Sequence, residues 1–258
     1  MAGRWWRRAK IGAAAVAILL LALQALVLWL ESAKGRAALA RLVAEKLANS
    51  LRQPVAVGDV RLQLFPLQLS VQNLRVGPES HPAVEIAGAQ VNLGSFQLAD
   101  REIGLNLVQV KGLRVRSQAA FGVSSGGGGT PLRVSVRQLV VQDASLDQLQ
   151  LAPGFLLSVS DFQLMVSGRP ERGFQGAFLR AGAFKLEGTG GQPLAGSLEA
   201  WGQVFPGKVQ LRRLILQASG VNANVSGEVA WTPAVAVRLA GLVVGDLAQV
   251  DEFFGIGI

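Results

Sequence analysis

The side chains able to do chemistry are few. There is one histidine, His81, with no cysteine and no tyrosine. That removes thiol catalysis, cysteine-type zinc sites and disulfides, and leaves no histidine constellation of the hydrolase or metalloenzyme kind. His81 stands between Glu79 and Pro82 in PESHPA, where a solitary loop imidazole reads as a surface residue. Asp143 and Asp147 could pair as acids, but they flank Ser145 and Leu146 in turn-like sequence and read as solvated carboxylates. Asp246, Asp251 and Glu252 lack the spacing of a calcium loop. GVSSGGGGTP, residues 122–131, lacks the Lys-Ser/Thr ending of a phosphate loop and reads as a flexible connection. Asn224-Val225-Ser226 matches a glycosylation sequon, which would mean little in a bacterial chain. The expectation is a protein that is not an enzyme and that has neither metal site nor cofactor.

With chemistry set aside, the placement of charge becomes the stronger signal. The first 50 residues hold eight Lys/Arg against Glu31 and Glu45, whereas residues 51–258 hold 17 basic and 15 acidic residues. A nucleic-acid binder would gather its basic excess on the folded domain, so no nucleic-acid partner is expected. Here the excess adjoins an apolar run. Ile11 to Leu30 contains Gln24 as its only strongly polar side chain. Its 20 residues would make a helix about 30 Å long, enough to cross a bilayer. Residues 1–10 carry four positive charges and no acid, and Trp5, Trp6 and Trp29 fall near the two interfaces. The positive-inside rule then leaves the N-terminus in the cytoplasm and exports the chain beyond the span. A cleaved signal peptide is the competing reading, disfavoured by the length of the run and by Leu28, Trp29 and Leu30 at its end. Arg outnumbers Lys 19 to 6 in an Ala/Gly/Leu/Val-rich chain, which hints at a bacterium and hence at the periplasm.

Residues 31–53 read as a short amphipathic helix. Leu39, Leu42, Val43, Leu47 and Leu51 share one face, and Pro54 stops it. It would either lie on the membrane or, the preferred reading, close one end of the adjoining domain.

From Val55 the period changes from helical to alternating. One spacing recurs: apolar at i, i+2, i+5 and i+7. It is met by Val55, Val57, Val60, Leu62; by Leu69, Val71, Leu74, Val76; and by Val108, Val110, Leu113, Val115. It returns in Val134, Val136, Leu139, Val141; in Leu157, Val159, Phe162, Leu164; and in Val209, Leu211, Leu214, Leu216. Chance would supply about one such match rather than six. Faces alternate along a strand, so the odd step from i+2 to i+5 would flip the second pair unless an extra residue is absorbed. A β-bulge would absorb it and bend the strand. Hairpin turns compete at Gly58-Asp59 and Lys111-Gly112, whereas Arg137-Gln138 and Arg212-Arg213 suit such turns poorly. The predicted fold is mainly β. A transmembrane helix and the amphipathic helix precede an elongated, curved antiparallel sheet in two meander segments, residues 54–121 and 132–258, joined by the Gly-rich connection. Its apolar face needs a cover. A second sheet would make a sandwich; acyl chains would make a trough.

The order of basic N-terminus, single span, GRAALARLVAEKL, LRQPVAVGDVRLQLFPLQLSVQNLRVGP and LNLVQVKGLRVRS resembles the N-terminal region of the AsmA-like superfamily, with its TamB-like members. The likeness runs to about residue 117 and continues more loosely in LRVSVRQLVVQDASL and VQLRRLILQASGVNANVSGEVAW. It implies an inner-membrane anchor, a taco-shaped periplasmic sheet with a hydrophobic groove lined by the 24 residues of the stripe, phospholipid as cargo, and an outer-membrane β-barrel partner. By position, Gly35 and Arg36 correspond to the family's post-anchor pair, and Phe65-Pro66 to an early strand-end motif. The family's members are usually much longer, so the resemblance also implies a fragment or a short variant that works with partners. Some 15 to 20 short strands, stacked about 4.8 Å apart, would give a trough of roughly 70 to 100 Å. The expected function is binding of phospholipid acyl chains for transport toward, or assembly of, the outer membrane. The alternative is a membrane-anchored β-sandwich that aids envelope assembly without carrying lipid.

Overall fold

The computed structural model describes residues 32–64, 66–97, 102–116, 133–152, 154–169, 173–188, 193–230 and 236–245, together with Trp29. The proposed span at 11–30, apart from Trp29, lies outside these residues, as do the basic flank, the Gly-rich connection, Phe65, and the stretch holding Asp246, Asp251, Glu252, Phe253 and Phe254. Among the described residues, no helix is long and apolar enough to cross a membrane.

Among the described residues the fold is mainly β: a helix followed by one large, curved, open sheet. Helix α1 spans Ala33–Leu51. Ser32 caps its start, the hydroxyl oxygen accepting from the Gly35 N–H at 3.1 Å. Arg52 ends it in the left-handed conformation (φ 53°), two residues before Pro54. The helix packs against the first strand. Gly35 and Ala40 are buried and Leu39, Val43, Leu47 and Leu51 half-buried, but Leu42, placed on the apolar face by its spacing, is 56% exposed. A single strand offers the helix too narrow a surface to shelter the whole stripe.

The strands are β1 (Val55–Gln63), β2 (Gln68–Val76), β3 (Val84–Gln97), β4 (Glu102–Arg116), β5 (Arg133–Val136), β6 (Gln138–Ala152), β7 (Phe155–Arg169), β8 (Gly173–Glu187), β9 (Leu194–Phe205), β10 (Lys208–Ala218), β11 (Val221–Ala230) and β12 (Ala236–Gly245). They lie side by side in chain order, with β5 off the main path beside β4. Tight turns make this order cheap to form: Pro206-Gly207 between β9 and β10, with Gly207 at φ 82°, and Ser219-Gly220 between β10 and β11, with Gly220 at φ 70°.

All twelve strands of the described residues belong to one sheet, as the leading expectation had it and not the alternative of two stacked sheets. Two expectations are corrected. The sheet is not wholly antiparallel, because β4 runs parallel to β5 and to β6. Among the described residues the strands are also fewer and longer than the anticipated 15 to 20, since β4 and β6 to β8 each have 15 residues. Strands with a crease in the middle keep alternating on both sides of it, so two short apolar runs become one element.

That crease is the odd step of the sequence pattern. In β1 to β4 it is neither a hairpin nor a bulge: Gly58-Asp59 and Lys111-Gly112 lie within β1 and β4, and each extra residue is met by one in the neighbouring strand. Val57 and Val60 therefore pair with Leu74 and Val71 in unbroken register, and Leu74 and Val71 with Ile86 and Ala89. Left-handed residues mark the line, Asn73, Gly112, Asp143 and Asp161, with φ between 51° and 64°. Farther on, true bulges appear: register shifts separate Val141 from Ala144 against β7, Ala181 from Phe184 against β9, and Leu211 from Leu214 against β11. Between Val136 and Leu139 the step interrupts the strand at Arg137 and separates β5 from β6.

Candidate functional site

The candidate surface is the sheet face that carries the stripe. Register shows what the crease accomplishes. Starting at Val60, successive partners are Val71, Ala89, Val110, Val141, Leu164, Leu179, Ala200, Leu214, Val225 and Gly241. One row thus crosses eleven strands without a polar side chain, about 48 Å at the usual strand spacing. A second row runs Leu62, Leu69, Val91, Val108, Leu139, Val166, and a third Val57, Leu74, Ile86, Leu113. Without the crease that absorbs the extra residue of β1 to β4, β6 to β8 and β10, the two halves of those strands would show opposite faces and these rows would break.

The stripe residues share this face but not one degree of exposure. Val60, Val76, Val141 and Val159 are buried by their neighbours; Val134, in the short β5, is 56% exposed; the remainder are half-buried. Among the described residues, the elements that pack most extensively against one another are neighbours in the sheet and α1 with β1. Among the described residues the largest fully buried side chain is a valine, Val60. A two-layer domain would instead enclose large aliphatic and aromatic side chains.

The spacing template missed residues of the same face. Val84, Ile86, Ala89 and Val91 in β3, and Leu179, Ala181, Phe184 and Leu186 in β8, follow it with alanine in one position. Admitting alanine would have found them. Leu198 and Ala200 of β9, and Val221, Val225 and Val229 of β11, follow plain alternation and could be joined to the stripe only through the register.

The opposite face is mostly polar and charged. Arg180 and Glu199 pair across β8 and β9 at 3.6 Å, Lys111 and Asp143 across β4 and β6 at 3.8 Å, and Lys208 and Glu228 across β10 and β11 at 2.9 Å. One apolar island interrupts it: Phe178 and Trp201 with ring centroids 5.5 Å apart, beside the half-exposed Met165.

The candidate chemical residues do not assemble into a catalytic arrangement. Asp143 holds the crease and faces Lys111. His81, exposed in the β2–β3 turn, and Asp147 border one crevice of about 690 Å³ at the ends of the strands, together with Arg116 and three prolines, Pro54, Pro78 and Pro82. Arg116 is occupied there: it donates to the Pro82 carbonyl at 3.4 Å and pairs with Glu85 at 3.4 Å. Among the described residues, no three His, Cys, Asp or Glu side chains converge as a metal site. Arg36 bridges α1 to β1, 3.6 Å from Asp59, which also holds Arg61 at 2.9 Å. Gly35 beside it is buried.

No protein-family model and no curated protein matches the chain.

Proposed function

We propose that this is an inner-membrane-anchored periplasmic protein that holds phospholipid acyl chains on the apolar face of its sheet, for transport toward or assembly of the outer membrane. The single observation that carries the reading is the row from Val60 to Gly241, apolar through eleven strands and mostly half-buried. Apolar surface of that extent on a soluble face marks a binding surface. A curved sheet would fold it into a groove, the taco of the AsmA-like superfamily that the sequence resembles. Each methylene leaving water for such a wall gains about 0.8 kcal/mol. Successive strands present nearly equivalent rows, so a chain can slide between them at little cost. The protein needs no chemistry for this, and direction comes from a partner, an outer-membrane β-barrel, or from a lipid gradient. The N-terminal run at 11–30 supplies the anchor, and α1 with its Arg36–Asp59 link closes the sheet at the anchored end.

The test is denaturing mass spectrometry of the protein purified from membranes. Phospholipid in defined stoichiometry is expected; protein that is lipid-free after gentle purification sinks the reading.

A further inference from the structure

Helix α1 has two unlike sides. Leu39, Val43 and Leu47 share the half-buried side, and β1 is the strand it packs against. At about 100° per residue, Lys34, Ala38, Arg41, Leu42, Glu45 and Asn49 fall on the opposite side, and all are exposed. The charges there are unbalanced. Lys34, Arg41, Lys46 and the C-cap Arg52 are exposed against Glu45 alone, and Glu45 already lies 3.9 Å from Arg41. Two large apolar side chains stand in the same stretch, Leu42 at 56% and Trp29 at 49% exposure. Trp29 is held to the helix start, its carbonyl accepting from the Ser32 N–H at 3.1 Å. The apolar run 11–30 ends at this point.

We propose that α1 lies flat on the periplasmic surface of the bilayer, its cations among anionic phospholipid headgroups and Trp29 and Leu42 dipping between them. This rests on the membrane-anchored reading above and adds the orientation of the sheet. Basic side chains are drawn to anionic headgroups, and tryptophan settles at their level. A protein partner fits this side poorly, because interfaces deplete charge at their core and a lone leucine sits among these charges. Few contacts suffice for a helix that starts at the bilayer, since the tether holds it at high local concentration. Pro54 turns the chain back so that β1 returns beside α1, Arg36 meeting Asp59. With α1 flat, β1 runs along the membrane and the following strands stack away from it, about 4.8 Å each. The apolar row then starts beside the bilayer at Val60 and leads outward.

The sequence has no cysteine, so single thiols in the full-length chain can carry a bimane label. The protein is reconstituted in vesicles of phosphatidylethanolamine and phosphatidylglycerol that contain lipids with a nitroxide at the headgroup or deep in the acyl chain. Labels at Ala38→Cys, Leu42→Cys and Asn49→Cys are expected to lose fluorescence to a similar degree with the headgroup nitroxide. Gln210→Cys, exposed on β10, is expected to keep its fluorescence. Adding Lys34→Glu/Arg41→Glu/Lys46→Glu is expected to remove most of the quenching at Asn49→Cys, with an unchanged circular dichroism spectrum. Leu20→Cys, within the apolar run, reports insertion through the deep nitroxide. The proposal alone is overturned if Leu20→Cys is quenched while the α1 labels are not, or while quenching falls away from Ala38→Cys to Asn49→Cys, as for a helix standing upright. Equal quenching at Gln210→Cys overturns it too. An unquenched Leu20→Cys overturns the anchored reading and this proposal together, and the lipid content of the purified protein tests the cargo separately.

Discussion

Gly112 lies against Ala87 in the adjacent strand: a Cβ built on the glycine would stand 2.7 Å from the alanine Cβ, and the glycine φ is +64°. The two residues are the extra ones of β4 and β3, facing each other across the crease. The left-handed conformation turns the strand so that Val110 and Leu113 stay on one face, and the absent side chain leaves room for the neighbour.

Gly112→Ala should therefore cost about 1–2 kcal/mol from backbone conformation alone, plus the displacement of Ala87. Gly88→Ala, in the next strand, should be nearly neutral, since nothing lies within 4 Å of its Cβ position. Urea denaturation of the two variants checks the contrast; equal costs would show that the crease does not depend on Gly112.

Val60 and Val110 occupy the same row but different surroundings, fully buried and half-buried. Val60→Asp should lose at least about 3 kcal/mol, because it buries an unpaired charge. Val110→Asp or Leu139→Asp should lose no more than about 1–2 kcal/mol while abolishing lipid co-purification. If Val110→Asp unfolds the sheet as Val60→Asp does, that part of the face is packed by protein and not by lipid.

The Lys208–Glu228 pair spans β10 and β11 at 2.9 Å, with the ammonium 5.7 Å from the centroid of the Phe205 ring. Both side chains are more than a third exposed, so Glu228→Gln should cost only about 0.2–1 kcal/mol, less in high salt. A loss above about 2 kcal/mol, independent of salt, would contradict this.

Ser32 both caps α1 and donates its hydroxyl to the Trp29 carbonyl at 2.6 Å. Ser32→Ala should weaken the helix start by about 0.5–2 kcal/mol and speed amide exchange over the first turn of α1, leaving β4 to β10 unchanged. Faster exchange throughout the sheet would mean that α1 governs the stability of the whole domain.

Much of the architecture was written in local pattern. The helix at Ala33–Leu51 followed from its spacing and from Pro54, and the strands from alternation between Gly, Pro, Asn and Asp. The stripe from Val55 to Leu216 came from the odd step, which is legible because a strand can show one face on both sides of an extra residue only by creasing. Leu42 was misplaced because helical periodicity reports how many apolar residues share a side, not how wide a surface will receive them.

What the sequence determined by itself, then, is the face on which each strand carries its apolar residues, since that depends only on the period of the chain and the position of the extra residue. Tertiary structure alone decided which strands stand side by side. The parallel step from β4 to β6, the mutual cancellation of creases in β1 to β4, and the bulges at β8 and β10 all depend on pairings between distant segments, which no local period encodes. The same pairings made six short stripes into one apolar row, with α1 packed beside its first strand.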